Sequence, residues 1–171
     1  MLKFIERYAD KMLAQKWQHD LEVHSNSLEF PHHVYCVAGE DVDGFVWLKI
    51  GRSQQLLSRI QGYNYPAHFQ ELEIKELIDL RLVAWRTEEE SVRAEAYMHA
   101  RLRPFRHDAR EWFTNYGTTI SSDNFTDLFL FHWSSLCIAG ATAYGEGSLR
   151  KLFSTGRGFP MIQSASGSLI L

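Results

Sequence analysis

Four polar side chains, set in apolar surroundings, are of types that phosphoryl chemistry can use: Tyr35, Lys49, Arg59 and Glu95. They occur in ordered company. Val34-Tyr35-Cys36 lies on one apolar run, Lys49-Ile50-Gly51 on the next, and Arg59 stands eight residues beyond Gly51. Ala94-Glu95 and His99 follow on one helical segment, and then Glu111-Trp112-Phe113. Phosphodiester hydrolysis needs a nucleophilic water, charge stabilised at phosphorus and a neutralised leaving oxygen. Arginine offers a fixed fork of donors to phosphate oxygens. A carboxylate suits a hard divalent ion. A tyrosine, reference pKa ~10, serves as a base only if neighbouring cations lower that value, and Lys49 and Arg59 are such cations. A desolvated Lys49 beside Arg59 is the alternative base, and the sequence leaves the choice open.

Elements must bring these residues together. Residues 33–38 and 45–50 suit two strands, and the Gly39–Gly44 stretch supplies turn chemistry for a hairpin between them. Side chains alternate faces along a strand, so a hairpin centred on Val42 puts Tyr35 opposite Lys49 on one face. A one-residue slip would separate them. Ser53 is a candidate cap for a short helix with Leu56, Leu57 and Ile60 inside and Gly62 as its left-handed stop. Arg59 borders that stripe, either snorkelling to solvent or held toward a site. Residues 69–79 fit a strand or a helix equally, and 80–85 read as a third strand. Thr87-Glu88-Glu89-Glu90 is a capping box for a helix to about Leu102, ended by Pro104. Val92, Ala96, His99 and Arg103 follow one of its faces; Glu95, His99 and Leu102 share an overlapping one.

The ordered set resembles the GIY-YIG nuclease superfamily, in the branch whose second motif reads K-I-G. The resemblance covers residues 33–116, about half of the chain. It implies an α/β fold of the α+β kind: a small three-stranded antiparallel sheet flanked by helices. It also implies catalytic roles for Tyr35, Lys49, Arg59 and Glu95, with Glu95 binding one Mg2+ or Mn2+ ion. His99 becomes a support for Glu95, as against a surface histidine, and Arg52 a phosphate contact or a partner of Glu111. Asn115 matches loosely a supporting asparagine of some relatives. Departures are visible. Val-Tyr-Cys keeps the tyrosine but not the glycine of the first motif, and Tyr63 stands where many relatives have histidine. Trp112 and Phe113 read as core residues rather than base-stacking ones.

Composition bounds the rest. The chain has 171 residues, 45% apolar and 23% charged, with net charge -3. That is ordinary globular composition, large enough for one core. The acidic balance asks a polyanion binder to gather its positive charge locally, and Arg101, Arg103, Arg106 and Arg110 are a candidate nucleic-acid-binding cluster or a solvated helix end. Cys36 and Cys137 sit in apolar runs without zinc spacing, which fits buried reduced thiols in a cytoplasmic protein. Glu6, Arg7, Asp10 and Lys11 fall where a signal peptide needs apolar residues. No stretch reads as a membrane span.

Residues 4–21 predict an amphipathic helix with Phe4, Ile5, Tyr8, Met12, Leu13 and Trp17 inside, and 121–144 a buried helix. Residues 145–171 are Gly- and Ser-rich. The expected organisation is a helical extension over 1–30, a core over 31–116 and a second extension over 117–171. The expected function is metal-dependent endonuclease action on DNA, with RNA and single strands served by the same chemistry. The altered first motif and the acidic charge motivate an alternative, a non-catalytic module that binds nucleic acid or protein.

Overall fold

The structure, a computed structural model, describes residues 3–62, 65–107 and 111–144. Its elements are α1 (Lys3–Tyr8), α2 (Lys11–Ser25), β1 (His32–Asp41), β2 (Val46–Ser53), α3 (Leu56–Gly62), α4 (Tyr65–Glu71), β3 (Ile74–Trp85), α5 (Glu88–Arg101), a 3-10 turn (Arg103–Phe105), β4 (Trp112–Thr114) and α6 (Ser122–Tyr144). The strands form one antiparallel sheet in the order β3-β1-β2-β4. The α+β class is as expected, but the sheet has four strands rather than three. The added one is built from the Trp112-Phe113 pair, which pairs with Lys49 and Leu48 on the outer edge of β2.

Both faces of the sheet are covered, which is why β1 is a nearly continuous apolar run and not an alternating one. One core joins Val34, Cys36, Leu48, Ile50 and Phe113 to Ala94 and Met98 of α5, to Leu102 at its C-cap, and to Phe125, Phe129 and Trp133 of α6. The other joins Tyr35, Val37, Trp47, Leu80, Leu82 and Trp112 to Ile5, Trp17 and Leu21 of the first two helices and to Leu56, Ile60 and Phe69 of α3 and α4. Trp112 and Phe113 are thus core residues, one on each face. Fully burying a side chain such as Leu21 contributes about 1.5–3 kcal/mol, so the N-terminal helices are integral to the second core. Cys36 and Cys137 are buried free thiols.

Several expectations are corrected. The helix over 4–21 is two helices, because the Asp10 carboxylate accepts from Met12 N at 2.9 Å and Leu13 N at 3.1 Å and starts a new one. The break changes the phase, so Met12 is 81% exposed while Ala14 is buried. The β1–β2 register pairs Tyr35 with Gly51 and Val37 with Lys49, two residues from the pairing expected of a turn centred on Val42. β1 runs on to Asp41, whose carboxylate organises the turn by accepting from Asp43 N, Phe45 N and Trp47 Nε1, while Gly44 supplies a φ of 85°. An even shift preserves the face. Gly62 lies inside α3 without positive φ, and residues 74–79 extend β3.

The Thr87 capping box forms as expected, with Glu90 N donating to Thr87 Oγ1 at 3.2 Å and Thr87 N to Glu90 Oε2 at 3.0 Å. Its helix buries Ser91, Ala94 and Met98 and leaves Val92 40% exposed. Residues 145–171 lie outside the described residues. Among the described residues no helix is long and apolar enough to cross a membrane.

Candidate functional site

Tyr35 and Lys49 share a face of the sheet, as alternation requires. Tyr35 is fully buried, and its hydroxyl accepts from Arg59 Nε at 3.2 Å. Arg59 is therefore held in place, reaching from an exposed position on α3 to close over the phenol. Gly51, directly across from Tyr35, makes room for that ring. A Cβ at Gly51 would sit 2.7 Å from the Tyr35 hydroxyl oxygen and 2.9 Å from Cζ, so any other residue would force the buried Tyr35 ring to move. The last position of Lys49-Ile50-Gly51 is thus a packing requirement of Tyr35.

Lys49 is only 2% exposed, and its Nζ lies 3.3 Å from Glu111 Oε2. Glu111 precedes β4 and has φ 66°, a left-handed conformation that non-glycine residues seldom adopt. Such a conformation persists where surrounding structure holds it, often at functional sites. Among the described residues β4 pairs with Trp47–Lys49 alone, and no strand pairs with the outer edge of β2 beyond Lys49. The α5 side chains fill that edge. His99 Nε2 lies 3.3 Å from Ile50 O, and its ring packs 5.2 Å from that of Phe113. Glu95 Oε2 lies 3.3 Å from Arg52 Nε, while Arg52 Nη1 reaches Glu88 Oε1 at 3.1 Å.

Glu95 pairs with Arg52 rather than with Arg59 or Lys49, and Arg52, for which a phosphate or Glu111 was expected, pairs with Glu95 and Glu88. The reason is layering. Glu95 comes from the helix layer opposite α3 and meets the other site residues around the β2 edge.

Glu95, His99 and Glu111, all half-buried, each offer a ligand atom within 4.8 Å of the others. Ligands about 2.1 Å from an ion lie roughly 3–4 Å apart, so small side-chain movements would close the group on a divalent cation. Two carboxylates and an imidazole are also a chemically competent donor set. Burial pushes the Glu95 carboxyl above its ordinary range; His99 draws it down, Glu111 pushes it further up, and Arg52 and Lys49 draw it down. These five residues form one electrostatic unit.

The remaining expected residues are elsewhere. Asn115 is buried at the far end of β2, where its side chain accepts from Val46 N at 2.9 Å and donates to Ile120 O and Ser122 Oγ. It fastens a loop and does not support the site. Arg101, Arg103 and Arg106 are exposed, with Arg101 lying 5.2 Å over the Tyr97 ring. Tyr63 and Arg110 lie outside the described residues. From sequence Glu111 was only a possible partner of Arg52; its place among the candidate ligands was missed, and its position just ahead of a short apolar strand was the available signal.

The chain thus carries an antiparallel sheet with helices on both faces and a carboxylate–imidazole group flanked by cations at one strand edge. Residues 32–127 match the T5orf172 domain. The match spans more than half of the chain, and the chain belongs to that family, a nuclease-related group. No curated protein and no solved structure matches it.

Proposed function

We propose that the chain is a metal-dependent endonuclease that hydrolyses phosphodiester bonds in DNA. The observation that carries this reading is the convergence of Glu95, His99 and Glu111 within 4.8 Å, with Lys49 and Arg52 in ion pairs to two of them. The nuclease-related family supports it. The finer resemblance, to the K-I-G branch of the GIY-YIG nucleases, is supported by Tyr35, Lys49, Arg59 and Glu95 occurring on a strand, a strand, a helix and a helix.

In this reading Glu95, His99 and Glu111 hold one divalent ion, Mg2+ or Mn2+. When bound, such an ion supplies positive charge against the phosphate and its leaving oxygen. Arg52 and Arg59 present guanidinium donors to phosphate oxygens. Water attacks phosphorus, the bond to the 3′ oxygen breaks, and a 5′-phosphate remains. The water's proton passes to the free oxygen of the Glu111 carboxylate, and Lys49, paired with that carboxylate, gives a proton to the departing 3′ oxygen. Tyr35, closed beneath Arg59, acts as a positioning residue. Arg101, about 9 Å further along α5 than Glu95 at 1.5 Å per residue, extends the positive surface with Arg103 and Arg106.

One observation favours a second reading, a non-catalytic binding module: Tyr35 is 0% exposed and its hydroxyl already occupied. Incubation with supercoiled plasmid separates the two. Nicked or linear product with Mg2+ or Mn2+, abolished by chelator, supports the nuclease. Inertness toward duplex DNA, single-stranded DNA and RNA with either ion supports the binding module.

A further inference from the structure

The three candidate ligands differ in donor type. Carboxylate oxygens serve magnesium and manganese alike, whereas an imidazole nitrogen favours first-row transition ions. His99 is also oriented from behind. Its Nε2 lies 3.3 Å from Ile50 O, and a carbonyl oxygen only accepts, so Nε2 carries the proton in that bond. A neutral ring then keeps its lone pair on Nδ1. The acceptor cannot drift, because Ile50 is fully buried in the β1–β2 ladder opposite Cys36. A backbone carbonyl fixing the tautomer is the support that ligating histidines commonly have. Phe113, packed 5.2 Å from the ring, limits its rotation.

We propose that Glu95, His99 and Glu111 form a mixed-donor centre that takes a first-row divalent transition ion in preference to magnesium, with His99 setting the preference. This deepens the nuclease reading and rests on its assignment of the ion to this group. Magnesium dehydrates reluctantly and gains little from a nitrogen donor. Manganese accepts both donor types, and the later first-row ions bind such sites more tightly still.

The test uses the full chain, stripped with chelator and titrated with Mn2+ while free ion is followed by electron paramagnetic resonance. The expected result is one Mn2+ per chain, displaced only by Mg2+ in excess of roughly tenfold. Spin-echo spectra of the bound ion should show coupling to one imidazole nitrogen. In His99→Asp, an all-oxygen set, the nitrogen coupling should vanish and the excess of Mg2+ needed should fall to near parity. His99→Gln, which keeps the size without the nitrogen lone pair, carries the same test if the aspartate variant does not fold. Equal affinity of the wild type for both ions, or bound Mn2+ without nitrogen coupling, overturns the proposal while leaving metal-dependent cleavage standing. Binding of neither ion overturns the proposal and the nuclease reading together.

Discussion

Arg52 Nε lies 3.3 Å from Glu95 Oε2, so the carboxylate proposed to hold the metal is already facing a cation. The pair is partly exposed, which limits its worth to about 0–1 kcal/mol. Arg52→Ala should therefore tighten Mn2+ binding by a few-fold at most, while lowering kcat/KM for DNA by roughly tenfold or more through a lost phosphate contact. Parallel metal titration and cleavage kinetics check this. Unchanged metal affinity would mean that Arg52 does not compete for Glu95.

Tyr35 and Lys49 share a face and are both buried, but they have different partners. The phenol is closed under Arg59, whereas Lys49 Nζ reaches Glu111 at 3.3 Å. Tyr35→Phe removes only the acceptor that positions Arg59 and should raise KM more than it lowers kcat. Lys49→Met should abolish cleavage with the fold intact by circular dichroism. The reverse ranking in steady-state kinetics would make Tyr35 the proton-handling group.

Much of this arrangement was legible in the sequence, for local reasons. Thr87 and Glu90 sit three apart, so their capping box could be read directly, and alternation fixed the face shared by Tyr35 and Lys49. The register was less legible because Asp41 uses its side chain to build the turn and lengthens β1 beyond the glycine that looked like its end. The pairing of Arg52 with Glu95, and of Lys49 with Glu111, depends on how residues distant in sequence meet. Contacts of α5 and of Glu111 with the β2 edge are tertiary facts with no periodicity to reveal them. The left-handed Glu111 is harder still, since nothing in its residue type announces a positive φ.

Asp41 should be a principal stabilising residue of the hairpin. Its buried carboxylate accepts from Asp43 N at 3.0 Å, Phe45 N at 2.8 Å and Trp47 Nε1 at 2.7 Å. Asp41→Ala leaves several of these donors without an acceptor and should cost about 2–4 kcal/mol. Urea unfolding of the variant measures it; a loss below about 0.5 kcal/mol would show the turn is held by other contacts.

His33 should make stability fall in mild acid. It is 1% exposed and, with burial the largest cause and the neighbouring His24 charge next, its pKa drops from 6.5 to about 4. Among the described residues no well-formed hydrogen bond reaches either ring nitrogen, and the nearby Ser53 and His24 backbone groups offset only part of the burial. Between those two values the unfolded chain binds the proton and the folded one does not. The stabilisation is therefore complete above pH 6.5 and is lost as pH falls through about 4, by about 3 kcal/mol in all. His24, also shifted down by burial, adds in the same direction. Urea midpoints between pH 7.5 and 4.5 should fall for the wild type and flatten in His33→Gln. Equal slopes would contradict the assignment.

The central claim turns on Glu95, whose replacement by glutamine keeps the shape and removes the charge. The direct measurement is single-turnover cleavage of end-labelled duplex DNA by wild type and Glu95→Gln, at saturating Mn2+ and Mg2+ and with chelator. The account predicts metal-dependent cleavage leaving 5′-phosphate ends in the wild type and none in Glu95→Gln, with melting temperatures within a few degrees of each other. Cleavage that persists in Glu95→Gln, or that proceeds unchanged in chelator, would contradict it.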